Sequence, residues 1–225
     1  MLVVEGERRQ LTSIQGIIFL IIGLLFNAVG NGITVATNMG SAPWTASAAN
    51  LANVTHEPIG AYLWLYGLLA AIFTAVLLGH LDVRRFISNL AFVFFFSIII
   101  NYISQLFISM GMMSLMWYLR ILIDFIGIIM VAIGVSITQR VQIVLHPMDD
   151  VVVITRFKYF HGNATVSQLV NFMIPMVMSF TVWAVTHELV ALNVGTIFSF
   201  LAQGMIIGWA DKHVFSRLVH RVTNY

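Results

Sequence analysis

The amino-acid sequence predicts an all-α polytopic membrane protein with six transmembrane helices and two short re-entrant or interfacial helices, laid out as a 3+3 inverted repeat. Three observations predict it. Of 225 residues, 60% are apolar and only 9% are charged, and the mean hydropathy is +0.94, so a soluble domain would have too few charged groups to cover its surface. Six apolar runs are long enough to cross a hydrocarbon core of about 30 Å, which takes about 20 helical residues. A displacement of 104 positions lays the second half of the chain on the first.

The first run, Ile14 to Thr37, follows a short stretch carrying Glu5, Glu7, Arg8 and Arg9. No small-residue cleavage site follows it, so it is expected to be a retained span. Gly16, Gly23 and Gly30 recur at heptad spacing, a pattern that lets helices approach closely in lipid. This stripe can serve intramolecular packing or a homodimer. Asn27, Asn31 and Asn38 lie in or just after the run; each amide needs a partner in hydrocarbon, which makes them candidates to line a solute cavity.

Pro43 to Val54 comes next, too short to span and too apolar for an ordinary loop. Proline suits a first helical turn, where its missing N–H costs nothing. Trp44 is expected in the outer aromatic belt, with stacking on a ligand as the alternative, and Thr45 adjoins it. Three membrane-length runs follow: Ile59 to Gly79, Phe86 to Ser109 and Trp117 to Thr138. In the last, Arg120 and Asp124 stand one turn apart and are expected to pair. Asp124 should face the interior, as half of a structural ion pair or as a gating or solute-binding carboxylate.

The second proline-led segment, Pro147 to Phe160, is preceded by His146 and carries Asp149 and Asp150 in its first turn. Carboxylates there suit the free N–H groups and the helix dipole. Arg156 lies seven residues beyond Asp149 on the same helical face. Charges at membrane depth are costly unless paired or facing water, so these residues are also candidates for a solute site. Val166 to Val185, holding Gln168, Asn171 and Pro175, and Leu192 to Ala210, holding Gln203, complete the six spans.

Basic residues mark the cytoplasmic side of a membrane protein. With both short segments returning to the side they left, Arg8, Arg9, Arg84, Arg85, Arg140, Arg156, Lys158, Lys212, Arg217 and Arg221 share one side, and Arg120 alone lies opposite. Both termini are therefore expected in the cytoplasm. Over Ile17 to Pro43, eight of 27 positions are identical after the displacement, including Gly23 with Gly127, Gly30 with Gly134 and Pro43 with Pro147. The chain reads as one membrane domain over 1–225, with repeats at about 14–110 and 117–217. Three crossings separate the repeats, so they have opposite orientations, an arrangement common in secondary transporters.

The absence of cysteine excludes disulfides and thiolate metal sites. The histidines have no metal-ligand spacing, and no phosphate-binding glycine loop or hydrolase-like constellation appears. No enzyme activity, cofactor, metal or nucleic-acid partner is expected. Partners are instead the lipid bilayer, a small-molecule solute and, through the glycine stripe, a second copy or another membrane protein.

GSAPW at Gly40 to Trp44 and PMD at Pro147 to Asp149 resemble the YczE/YyaS/YitT family of bacterial integral membrane proteins, in its YczE-like branch. The resemblance implies a bacterial cytoplasmic membrane. Where that family commonly has aspartate after the first Pro-Trp, this chain has Thr45, and Leu145 and His146 replace small residues before the second proline.

The function expected from these features is a small secondary transporter or permease for a small polar or anionic solute. Its candidate solute-binding residues are Asn27, Asn31, Asn38, Trp44, Thr45, Asp124, His146, Asp149, Asp150 and Arg156. Two alternatives are a substrate-binding membrane subunit of a multi-component importer of the energy-coupling-factor kind, and a non-transporting membrane scaffold or regulator.

Overall fold

A computed structural model describes residues 1–4, 7–188 and 191–220; Glu5 and Arg221 lie outside them. The described residues hold eight α-helices in chain order: α1 Ser13–Thr37, α2 Pro43–Thr55, α3 Ile59–Leu78, α4 Val83–Ser109, α5 Trp117–Val141, α6 Pro147–Lys158, α7 Ala164–Thr186 and α8 Val194–His213. All but α2 and α6 are long and apolar enough to cross a membrane. Ile72, Phe73, Val76, Leu201 and Met205 are among the large apolar side chains left exposed on the bundle, as a lipid-facing surface requires. The chain is an all-α multi-pass membrane protein.

Local chemistry sets the helix ends. Thr12 and Gln15 form a reciprocal capping box at the start of α1. Asp82 caps α4 through the Arg85 N–H, and Asn163 caps α7 through the Val166 N–H. Helix α1 stops at Asn38, α2 at His56, α5 at Gln142 and α7 at His187, each in the left-handed region with φ between 51° and 61°. The displacement of 104 residues carries over to the helices, since α5 begins and ends 104 positions after α1.

Helices α1 and α5 form the central pair. A Cβ added to Gly30 would stand 2.5 Å from the Gly127 carbonyl oxygen, and one added to Gly134 would stand 2.6 Å from that of Gly23. Under the repeat, Gly23 corresponds to Gly127 and Gly30 to Gly134. Each glycine of one helix therefore faces the counterpart of the other glycine, the reciprocal contact that a two-fold axis imposes. The glycine stripe is spent on this intramolecular crossing: Gly16 in turn faces Ile143.

The N-terminal residues and the last described residues, 217–219, lie on one face. An antiparallel pair, β1 Leu2–Val4 and β2 Glu7–Arg9, joins the segment after α8 through Leu2 and Leu218, the Val3 N–H to the Arg217 carbonyl and the Val219 N–H to the Met1 carbonyl. Six crossings then put Arg120 alone, among the described basic residues, at the opposite face.

The two short helices begin at mid-depth and run outward in opposite directions. Pro147 lies beside Gly67 in the middle of α3, whereas the Lys158 ammonium donates to the Leu77 carbonyl near the end of α3 (2.6 Å). Trp44 meets Tyr66 in α3 edge to face, with ring centroids 5.2 Å apart, whereas Asn53 donates to Glu188 beyond the end of α7 (2.8 Å). Each therefore returns to the face its preceding helix reached, as a re-entrant segment does. Packing crosses the repeats: α6 of the second lies against α3 of the first, and α2 of the first against α7 of the second.

Candidate solute site

A central cavity of about 460 Å³ lies where the two short helices begin, and all eight helices contribute to its wall. That volume is within the range of small-molecule sites. The wall is mainly apolar, with Tyr66, Phe96, Phe172, Val131 and Val135 among its residues, and its polar groups come from a few positions. It extends to Ile59 and Gly60, the first two residues of α3, on the face opposite the termini.

Helix α1 brings Asn27 and Asn31, whose side chains are coupled: the Asn31 amide donates to Asn27 Oδ1 at 2.6 Å and to the Asn27 carbonyl at 2.9 Å. Both line the cavity, on the turn that Gly23 and Gly30 hold against α5. Helix α2 brings Trp44 and Thr45. The indole is thus turned inward against Tyr66, away from a membrane-belt position, because α2 starts inside the bundle. Tyr66 in turn exchanges a 3.0 Å hydrogen bond with Ser47. Ala42, the residue preceding α2, supplies no capping side chain, and the backbone N–H groups of Trp44 and Thr45 meet no acceptor among the described residues.

Helix α6 presents its first turn differently. His146 Nδ1 accepts from the Met148 N–H at 3.3 Å, which places the ring proton on Nε2, and the ring sits edge-on to Phe92 and Phe96. His146 and Asp149 both line the cavity. The Asp149 carboxylate has no hydrogen-bond or ion-pair partner among the described residues.

Asp150, adjacent in sequence, is turned about 100° around the helix and leaves the cavity. Its carboxylate is fully buried and receives the Arg85 guanidinium on both oxygens and the Asn89 amide at 2.7 Å. A bidentate arginine plus an amide satisfies a buried carboxylate, so Asp150 ties α6 to α4.

Three more expected site residues stand outside the cavity wall. Asn38 is an exposed cap, because α1 ends there with a left-handed residue. Asp124 is fully buried between α1 and the start of α8: its Oδ1 accepts from the Thr37 hydroxyl at 2.7 Å, and its Oδ2 has no hydrogen-bond partner among the described residues and lies against Gly195. Arg120 makes no ion pair with Asp124 and donates instead to the Thr37 carbonyl at 2.8 Å, so one threonine separates the two charges. Arg156 reaches away from Asp149, toward Asp211 of α8 at 2.7 Å and the Gly162 carbonyl at 2.7 Å.

Asp211 is the centre of a buried network on the face of the termini. Ser136 donates to it at 2.7 Å, His220 lies at 3.1 Å, and Arg140 is 3.5 Å away. Arg140, 1% exposed, spends its guanidinium on carbonyls at the end of α8, those of Val214 and Leu218 at 2.9 Å among them. Burial pushes the His220 imidazole below its ordinary pKa; the Asp211 carboxylate opposes this, while Arg156 and Arg140 add to it.

The remaining polar wall includes Gln168, Gln203, Ser97, Asn101 and Ser104. The two glutamines stand out in the sequence as amides within apolar helices. The α4 residues do not, because that helix has no apolar stripe from which to read an inward face. Gln203 accepts from Ser199 at 2.6 Å, while Gln168, 2% exposed, leaves its Oε1 without a donor. Asn171, equally polar in sequence, turns back to the Ser167 carbonyl at 3.3 Å.

In comparison with known families, a family described as "Family of unknown function (DUF6198)" matches residues 14–212. The chain belongs to that family. No curated protein and no solved structure matches it. In this DUF6198 member the matched span runs from the start of α1 almost to the end of α8, and so takes in both short helices and the whole cavity wall.

Proposed function

We propose that the protein is a small secondary transporter or permease of the bacterial cytoplasmic membrane, with both termini in the cytoplasm, and that it belongs to the YczE-like branch of the YczE/YyaS/YitT group. One observation carries the reading: two half-length helices from opposite repeats start at the same central cavity. Backbone polar groups that end inside a membrane need a ligand, water or another segment to receive them, and broken helices at a repeat interface are the usual place where transporters hold solute. The Arg85–Asp150–Asn89 cluster supplies a closure between this cavity and the face of the termini.

An importer subunit would present the same cavity, and a scaffold would have no use for it. A thermal-shift screen of purified protein against a broad metabolite set, followed by uptake of the hits into proteoliposomes, tests the proposal. Uptake by protein alone supports a transporter. Binding without uptake, together with co-purification of an ATPase module, would favour the importer subunit. Absence of both binding and uptake would favour the scaffold.

A further inference from the structure

The cavity has two chemically opposite poles at positions that the repeat makes equivalent. Thr45 and Asp149 are 104 residues apart, each the third residue of its short helix, and both face the same space. At the α2 pole, the Trp44 and Thr45 N–H groups meet no acceptor among the described residues and no carboxylate is present in the helix. A helix N-terminus in that condition carries a partial positive charge and favours an anionic group. At the α6 pole, His146 already caps the helix, and Asp149 adds a carboxylate with no partner among the described residues, which can only accept hydrogen bonds when ionised.

Gln168 gives an independent sign of a ligand. It lines the cavity, is 2% exposed, and its amide makes no hydrogen bond among the described residues. Its Oε1 is shut off from the cavity, so the Nε2 donor is the amide atom left to face it; a buried polar group without a partner is costly, and a solute that brings an acceptor such as a carboxylate removes that cost. Among the described residues no lysine or arginine lines the cavity. A simple anion would face Asp149 with no compensating cation, and a simple cation would leave the α2 pole unmatched. A solute carrying both charges satisfies each pole.

Resting on the transporter reading above, we propose that the solute is a small zwitterion with a protonated amino group and a carboxylate, the amino group at Asp149 and the carboxylate at the first turn of α2. The anionic solute expected from the sequence is thereby narrowed to one whose negative group is balanced within the molecule. Trp44, Tyr66 and Phe96 then enclose its apolar part.

The test uses the full chain in detergent and a panel of free α- and ω-amino acids in a thermal-shift and equilibrium-binding assay. Each hit is compared with its amide, which keeps only the positive charge, and its N-acetyl derivative, which keeps only the negative charge. The expected result is binding of the free amino acid at least about tenfold tighter than either derivative, because a site built on hydrogen bonds rejects an analogue that leaves its groups unpaired. The Asp149→Asn variant, with unliganded melting close to that of the native protein, should lose affinity for the amino acid and gain relative affinity for the N-acetyl form. If the variant does not fold, the three-way comparison on the native protein decides alone. The proposal is overturned if the amide or the N-acetyl form binds as well as the amino acid. It is also overturned if no amino acid binds while a solute of another class is bound and transported, a result that leaves the transporter reading intact. If no solute of any class binds, both fall.

Discussion

At the scale of single residues, Asp149 and Asp150 show how one helical step separates two fates. Both are first-turn carboxylates, yet one faces open space and the other is held by Arg85 and Asn89. Breaking a buried pair from one side leaves an uncompensated charge, so Arg85→Met should destabilise the protein by about 3 kcal/mol, seen as a lower midpoint in denaturation. The double variant Arg85→Met/Asp150→Leu should recover most of that loss, which an additive result would contradict. His220 gives a pH prediction. Its folded pKa is depressed, so the unfolded segment takes up a proton more readily, and the docked C-terminal segment is most stable above about pH 6.5. Protection of the Leu218 and Val219 amides against hydrogen exchange should decline as pH falls below that value, and His220→Asn should flatten the dependence. The lone orphan oxygen on Asp124 shows the limit of sequence reasoning at this scale: Arg120 stands one turn away, yet the geometry gives both residues to Thr37.

Among the elements, the α1–α5 crossing is the most sensitive to a single carbon. Gly30→Ala would place Cβ 2.5 Å from the Gly127 carbonyl oxygen and 2.8 Å from the Val131 nitrogen. Backbone cannot move aside as a side chain can, so this change should cost about 3 kcal/mol and disturb the cavity wall at Asn27 and Asn31. Gly208→Ala in α8 is the control: its Cβ would meet only the Ala164 methyl, at 3.7 Å, and the gain in helix propensity of about 1 kcal/mol should raise the melting temperature. The elements themselves were legible in the sequence. Length and apolarity placed all six spans within a few residues of their ends, because a membrane helix satisfies its backbone locally and has few other forms open to it. The proline-led helices were equally plain. The N-terminal β-pair was not, since Leu2–Val4 and Glu7–Arg9 are three residues each and are joined to residues 217–219, over 200 positions away. The partner of Asp150 was hidden for the same reason: Arg85 lies 65 positions earlier, and periodicity within one helix carries no information about which other helix stands beside it.

For the whole molecule, the sequence displacement of 104 proved to describe a spatial relation, with Gly23 facing Gly134 and Gly30 facing Gly127. Its asymmetry is as informative as its symmetry. The polar lining that the first repeat concentrates in Asn27 and Asn31 has valines, Val131 and Val135, at the equivalent places, so one architecture presents two chemically different walls to the cavity.

The packing of short helices across the repeats has a consequence for the assembly of the chain. Helix α2 packs against α7 as well as α3, and α6 against α3 as well as α7, so each half leans on the other. The two halves should therefore be stable only together. Cut in the turn at Met112–Ser114, between α4 and α5, the two fragments should each be degraded when made alone and should accumulate and co-purify when made together. Accumulation of either half by itself, at the level of the intact protein, would count against this interdependence.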